Sequence, residues 1–176
     1  YTVMDFIPGN TFRQYLDAGN VFPEKSVIKW AKQICSTLCY MHGQKPAIIH
    51  GDLKPANIML MPDGNICLID FNISAILDGS QAWVTGYTNG YAPPEQIEAL
   101  NFNQRERDYR LWKKSDPRSD IYSLGATLYH LVSGYKPMRD QQGRVRDIRE
   151  TGARINIVFA SIIMKCLEPD PNRRYQ

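Results

Sequence analysis

Long apolar runs are missing from this 176-residue sequence. None approaches the ~20 residues that a membrane-spanning helix needs, so no span is expected within the segment. Strong charge of one sign is missing too. The net charge of +3 gives no electrostatic argument for nucleic acid or a membrane surface, and no nucleic-acid partner is expected. Cysteine is scarce: Cys35, Cys39, Cys67 and Cys166 each lie in an apolar stretch and read as buried free thiols, which suits a reducing, cytoplasmic setting. Cys35, Cys39 and His42 are spaced for one helix face, but no second ligand cluster completes a tetrahedral metal site. Internal repeats and low-complexity stretches are absent. The opening Tyr1-Thr2-Val3-Met4-Asp5 has no basic leader region, and it reads as mid-strand, so the natural start is expected upstream.

What is there suits one globular domain, with 43% hydrophobic and 22% charged residues. Tyr1 to Phe6 alternates like a strand, broken by Ile7-Pro8-Gly9-Asn10. Thr11 can cap a short helix through Ala18, closed by Gly19. Val27, Ala31, Ile34, Leu38 and Met41 recur at helical spacing after Pro23, predicting a long amphipathic helix that ends near Gly43. Pro62-Asp63-Gly64-Asn65 is a turn between two short apolar runs, predicting a hairpin from Ile58 to Ile69. Residues 71–94 read as irregular. Asp120 to Val132 is apolar nearly all round, as a buried central helix would be, and Ile155 to Leu167 reads as a last helix stopped by Pro169 and Pro171. The expected fold is mainly α with a small β hairpin.

The chemistry concentrates in His50-Gly51-Asp52-Leu53-Lys54-Pro55-Ala56-Asn57, a loop just before the hairpin. Phosphoryl transfer needs a carboxylate to orient the attacking hydroxyl, a cation to meet the transferring phosphate and an amide oxygen for Mg²⁺. Asp52, Lys54 and Asn57 supply those types, and Asp70 arrives on the returning strand as a second hard oxygen ligand.

These residues resemble the catalytic loop and the metal-binding Asp-Phe-Gly motif of protein kinases. Gly51 stands where many kinases have arginine, and Asn72 where most have glycine. The aminoglycoside and choline kinases share the His-Gly-Asp…Asn and Ile-Asp-Phe pattern, so a small-molecule phosphotransferase is the first alternative; a pseudokinase or scaffold is the second. Three features favour a Ser/Thr protein kinase: Lys54, the activation-segment end Thr88-Asn89-Gly90-Tyr91-Ala92-Pro93-Pro94-Glu95, and the central-helix start Asp120-Ile121-Tyr122-Ser123-Leu124-Gly125. Cys166 to Arg174 resembles the segment whose arginine pairs with the activation-segment glutamate, which assigns Arg174 to Glu95.

The resemblance covers nearly the whole chain and implies an α+β, kinase-like C-terminal lobe over residues 1–176, an ATP and Mg²⁺ requirement, and a protein substrate phosphorylated on Ser or Thr. It implies that Asp52, Lys54 and Thr88 form the catalytic group, that Asn57 and Asp70 hold Mg²⁺, and that Met4, Asp5, Ile7 and Met59 line the adenine pocket, Asp5 and Ile7 through backbone groups. Plain core packing is the other reading of Met4 and Met59. Asp120 would bind the catalytic-loop backbone, and His50 would pack and position rather than act as a base. No Gly-rich loop, strand lysine or partner glutamate is present, so a small lobe is expected outside these residues and the segment alone is expected to be inactive and able to self-associate. Asn101 to Lys114, with Arg105, Arg107, Arg110, Lys113 and Lys114, reads either as a solvated loop or as a docking surface for an acidic partner. Ser74, Ser80, Thr85 and Thr88 are the hydroxyls open to phosphorylation between Asp70 and Glu95.

Overall fold

The structure, a computed structural model, describes residues 6–70, 75–76, 86–105, 116–140 and 144–176. It is mostly helical with two small antiparallel sheets.

Strand β1 (Asn10–Thr11) runs into helix α1 (Phe12–Asp17), whose start is set by a capping box. The Gln14 backbone N–H donates to Thr11 Oγ1, and the Thr11 N–H donates to Gln14 Oε1 at 2.7 Å, so two N–H groups that a bare helix end would orphan are both bonded. Pro23 caps α2 (Glu24–His42), which buries Val27, Trp30, Ile34, Leu38 and Met41 along one stripe. Phe12, Phe22 and Trp30 pack edge-to-face or tilted with centroids 4.8–5.4 Å apart, tying α1 to α2.

β2 (Ile48–Ile49) leads into the loop before β3 (Ile58–Leu60) and β4 (Ile66–Leu68), which form the expected hairpin in the register Ile58↔Leu68, Met59↔Cys67 and Leu60↔Ile66. β1 joins as a third strand, opposite β3. Gly64 adopts φ +77° at the hairpin tip, where glycine avoids the Cβ clash, and its carbonyl accepts from Lys29 Nζ at 2.8 Å and Trp30 Nε1 at 3.1 Å. The hairpin is thereby clamped to α2.

α3 (Pro94–Arg105), α4 (Pro117–Ser133) and α5 (Ile157–Cys166) complete the body. Asp116 caps α4, Pro117 takes the first helical position, and Gly134 ends it in the left-handed conformation. α4 is buried along almost its whole length and packs most extensively on α5 and α2. Close approach to α5 requires Gly125: a Cβ there would sit 2.5 Å from Cys166 Cβ.

Several expectations need correction. Cys35 and Cys39 are exposed, Cys67 is half-buried, and Cys166 alone is buried. His42, spaced with Cys35 and Cys39 along α2, turns to Asp120. Residues 101–105 continue α3 as helix, so the basic stretch does not begin as a loop; residues 106–115 lie outside the described residues. The segment read as irregular contains β5 (Ala75–Ile76), paired with β2. Phe6 belongs to no strand and is exposed, while residues 1–5 lie outside the described residues.

Candidate active site

The loop after β2 is held from below by one carboxylate. Asp120, in the first turn of α4, is fully buried. Its Oδ2 accepts from the His50 N–H at 2.9 Å and lies 2.8 Å from His42 Nε2, and its Oδ1 accepts from the Gly51 N–H at 2.9 Å. A buried carboxylate is tolerated only when hydrogen-bonded in this way. Gln96 on α3 supplies the opposite polarity: its Nε2 donates to the carbonyls of Gly51 and Gly86, both at 2.9 Å. The backbone that leads into Asp52 is thus fixed from two helices, at His50 and Gly51.

Asp52 itself is 8% exposed. Its Oδ1 accepts from Thr88 Oγ1 at 2.6 Å, and its Oδ2 accepts from Lys54 Nζ at 2.6 Å and Asn57 Nδ2 at 3.1 Å. Lys54 Nζ also donates to Thr88 Oγ1 at 2.9 Å, closing a triangle of acid, cation and hydroxyl. These charge-assisted bonds aim an acceptor oxygen and an ammonium into the same space. Asn57 also donates to the Asp52 carbonyl at 2.9 Å. Its NH₂ is therefore engaged within the loop, and its amide oxygen is the atom left to meet a cation.

The hairpin brings a second oxygen-bearing side chain, Asp70, to the same end. The Ile69 N–H donates to the Asn57 carbonyl at 2.9 Å, so Asp70 leaves β4 beside Asn57. Asp70 is exposed and adopts φ +61°, a left-handed conformation that aspartate reaches more readily than most side chains. Two carboxamide or carboxylate oxygens suit Mg²⁺, which takes few protein ligands when phosphate oxygens fill the rest of its octahedron. Met59 and Ile7 are half-buried, with Met59 on the strand that pairs with β1; Met4 and Asp5 lie outside the described residues.

Beyond Thr88, Arg174 pairs with Glu95 by two bonds, Nη1–Oε1 at 2.6 Å and Nη2–Oε2 at 2.8 Å. The guanidinium is otherwise satisfied by the carbonyls of Glu168, Pro169 and Arg118, and it stacks 5.0 Å over the Tyr122 ring.

The model of the protein kinase domain family matches residues 1–176. The chain belongs to the protein kinase family. Its relatives include the serine/threonine-protein kinase PknB of Mycobacterium leprae, 30% identical over 190 residues that take in the whole chain and 28% of that protein. A probable serine/threonine-protein kinase of Streptomyces coelicolor is 29% identical over 191 residues, again the whole chain and 26% of the relative. The mouse serine/threonine-protein kinase Nek3 is 32% identical over 143 residues, 79% of the chain and 25% of Nek3. The chain spans about a quarter of the length of the curated relatives it matches.

In kinase terms, Asp52, Lys54, Asn57 and Thr88 meet in one cluster, and Asp70 leaves the hairpin at the same end. The Asp120 and Arg174–Glu95 assignments hold at atomic distance. His50 is fully buried, and burial holds its pKa below the ordinary histidine value against the opposing pull of Asp120, which suits a positioning role. Three partners had no sequence signal. Gln96 reaches the loop from α3, His42 reaches Asp120 from α2, and Tyr91 Oη lies 2.7 Å from His130 Nδ1. Burial drives the His130 pKa down to about 4, with Lys136 and Arg13 adding repulsion, so the imidazole is neutral beside the Tyr91 hydroxyl. Burial likewise raises the Tyr91 phenol well above its ordinary value.

Proposed function

We propose that the protein containing this chain transfers the γ-phosphoryl group of ATP to Ser or Thr of a protein substrate, with residues 1–176 acting as the large lobe of the kinase domain. The carrying observation is the triangle of Asp52, Lys54 and Thr88, three residue types that Ser/Thr phosphorylation needs, within 2.9 Å of one another. Asp52 orients the acceptor hydroxyl and takes its proton as the new O–P bond forms and the bond to the β-phosphate oxygen breaks. Lys54 neutralises charge on the phosphoryl oxygens, and Thr88 holds both side chains in place. Asn57 Oδ1 and the Asp70 carboxylate are the oxygens that would hold Mg²⁺, which supplies charge neutralisation on the phosphates when bound. Met4, Asp5, Ile7 and Met59 line the adenine pocket in this reading, completed by a small lobe. The free state of all four cysteines fits a reducing, cytoplasmic location.

The test incubates the full-length protein with Mg²⁺, radiolabelled ATP and a mixed protein acceptor, followed by phosphoamino-acid analysis. Phosphoserine or phosphothreonine, lost in Asp52→Asn, is the expected result. ATP binding without transfer would replace this reading with a pseudokinase, and label on aminoglycosides or choline would replace it with a small-molecule phosphotransferase.

A further inference from the structure

Glutamine is mostly a surface residue, yet Gln96, in the first turn of α3, is buried. Its carboxamide nitrogen carries two N–H donors, and both go to main-chain carbonyls, those of Gly51 and Gly86, at 2.9 Å each. The amide oxygen is buried as well and meets no partner among the described residues. The side chain is therefore oriented by its nitrogen alone; turned the other way, the amide would set its oxygen against two carbonyl oxygens. An apolar side chain of the same length would fill the space without an orphaned acceptor, so packing does not account for glutamine here.

The two carbonyls belong to the backbones that carry Asp52 and Thr88. The Gly51 carbonyl sits on the peptide that leads into Asp52, and the Gly51 N–H is tied to Asp120 at 2.9 Å, so Gly51 is held from both sides. The Gly86 carbonyl lies two residues before Thr88. Beyond Thr88, its own carbonyl accepts from the Tyr91 and Ala92 N–H groups, both at 3.1 Å, and the Gln96 N–H donates to the Pro93 carbonyl at 3.2 Å. Thr88 is thus anchored in both chain directions to the start of the helix that carries Gln96. Asp52 and Thr88 then meet side chain to side chain at 2.6 Å. A closed ring results, with the Gln96 amide as one link between the two segments and the Asp52–Thr88 bond as the opposite link.

We infer that Gln96 is a positioning residue for phosphoryl transfer: by holding the carbonyls of Gly51 and Gly86 on one nitrogen, it sets the spacing at which Asp52 and Thr88 meet. The inference rests on the protein-kinase reading above. The Gln96 side chain bonds only to backbone, so it acts through Asp52 and Thr88 and is not itself a catalytic residue. Without a donor between them, two carbonyl oxygens repel, and the two segments part. A displacement of about 1 Å at a reacting group lowers a rate by about 10²-fold.

The experiment uses the full-length protein with two variants. Gln96→Met keeps the length and removes the donors, and Gln96→Glu keeps the shape and sets a carboxylate against the carbonyls. In both, kcat for Ser/Thr phosphorylation should fall about 10²-fold, with KM for ATP little changed. Gln96→Met combined with Thr88→Val should lose little more than the worse single variant, because both act on one spacing. Methyl NMR reads that spacing without turnover. The Thr88 methyl signal, identified by its loss in Thr88→Val, should move in Gln96→Met, while that of Thr127, buried in α4, stays in place. A Thr88 signal that moves, in a protein that phosphorylates no Ser or Thr, would overturn the kinase reading and leave the Gln96 link standing. If one variant fails to fold, the other decides. Unchanged kcat, KM for ATP rising in step with the loss, multiplied losses in the double variant, an unmoved Thr88 signal, or loss of the fold in both Gln96 variants would each overturn the positioning role.

Discussion

Arg174 closes on Glu95 through two N–H···O bonds of 2.6 and 2.8 Å across 79 residues of sequence. The two partners are unequally buried: the Arg174 side chain has no exposure, whereas Glu95 retains 25% and a bond from Ser119. Removing the carboxylate therefore strands a buried cation, and removing the cation leaves a carboxylate that water can reach. Glu95→Gln should destabilise the fold by about 3–5 kcal/mol, the cost of breaking a buried pair. Arg174→Met, which keeps apolar contact with Tyr122, should cost less. Urea midpoints of the two variants, compared with the natural protein, check the order. The reverse order would mean that the carbonyls of Glu168, Pro169 and Arg118 satisfy Arg174 without Glu95.

A second prediction separates the roles within the triangle. In the proposed mechanism Asp52→Asn keeps the shape but loses the base, so kcat should fall steeply with KM for ATP little changed. Thr88→Val removes the hydroxyl that bridges Asp52 and Lys54 while keeping the volume, and misplacement of this kind lowers kcat by up to about 10²-fold. Asp70→Asn should raise KM for Mg²⁺-ATP as well. Steady-state kinetics on the full-length protein would check all three; normal turnover by Asp52→Asn would remove it from the centre of the site.

The legible part of this site was the part that is contiguous. Asp52, Lys54 and Asn57 lie within six residues, and Asp70 follows one hairpin later, so motif and turn chemistry sufficed. The α2 stripe was legible by period, but Cys35 and Cys39 were not: each follows a buried stripe residue, Ile34 or Leu38, and one step turns a side chain 100° round the helix. β5 is two residues long and acquires strand geometry only by pairing with Ile48–Ile49, which no local pattern reveals. His130 and Tyr91 are 39 residues apart, and nothing local in either marks the other.

The buried histidines give a pH dependence with a defined sign. His130 has its pKa lowered to about 4, and His50 is also lowered, both chiefly by burial. The unfolded chain, titrating near 6.5, binds protons that the folded chain refuses, so this stabilisation is complete above about pH 6.5 and is lost as pH falls toward 4. The His130 share amounts to at most about 3 kcal/mol. Asp63, Asp116 and Asp147, whose pKa values are lowered, titrate below this window, so melts between pH 7 and 5 isolate the histidines. His130→Gln, whose amide can still hydrogen-bond Tyr91 but does not titrate, should flatten the dependence; an unchanged slope would place the responsible group elsewhere.

The last prediction concerns Gly51. Where a kinase carries arginine at this position, its guanidinium can pair with an activation-loop phosphate and order the loop. Gly51 has no side chain to do so, and its backbone is fully committed, N–H to Asp120 and carbonyl to Gln96. It also adopts φ +77°, a conformation that costs other residues about 1–2 kcal/mol, so Gly51→Ala should lower stability by that amount. Of the hydroxyls between Asp70 and Glu95, Thr88 is bonded to Asp52 and Lys54; Ser74, Ser80 and Thr85 lie outside the described residues. A phosphate on any of these gains no partner at Gly51, and a pair that cannot form shifts no population. Phosphatase-treated and phosphorylated full-length protein should therefore show the same kcat. A large loss on dephosphorylation, mapped to one site between Asp70 and Glu95, would show that another basic residue receives the phosphate, and mutation of candidate arginines would then locate it.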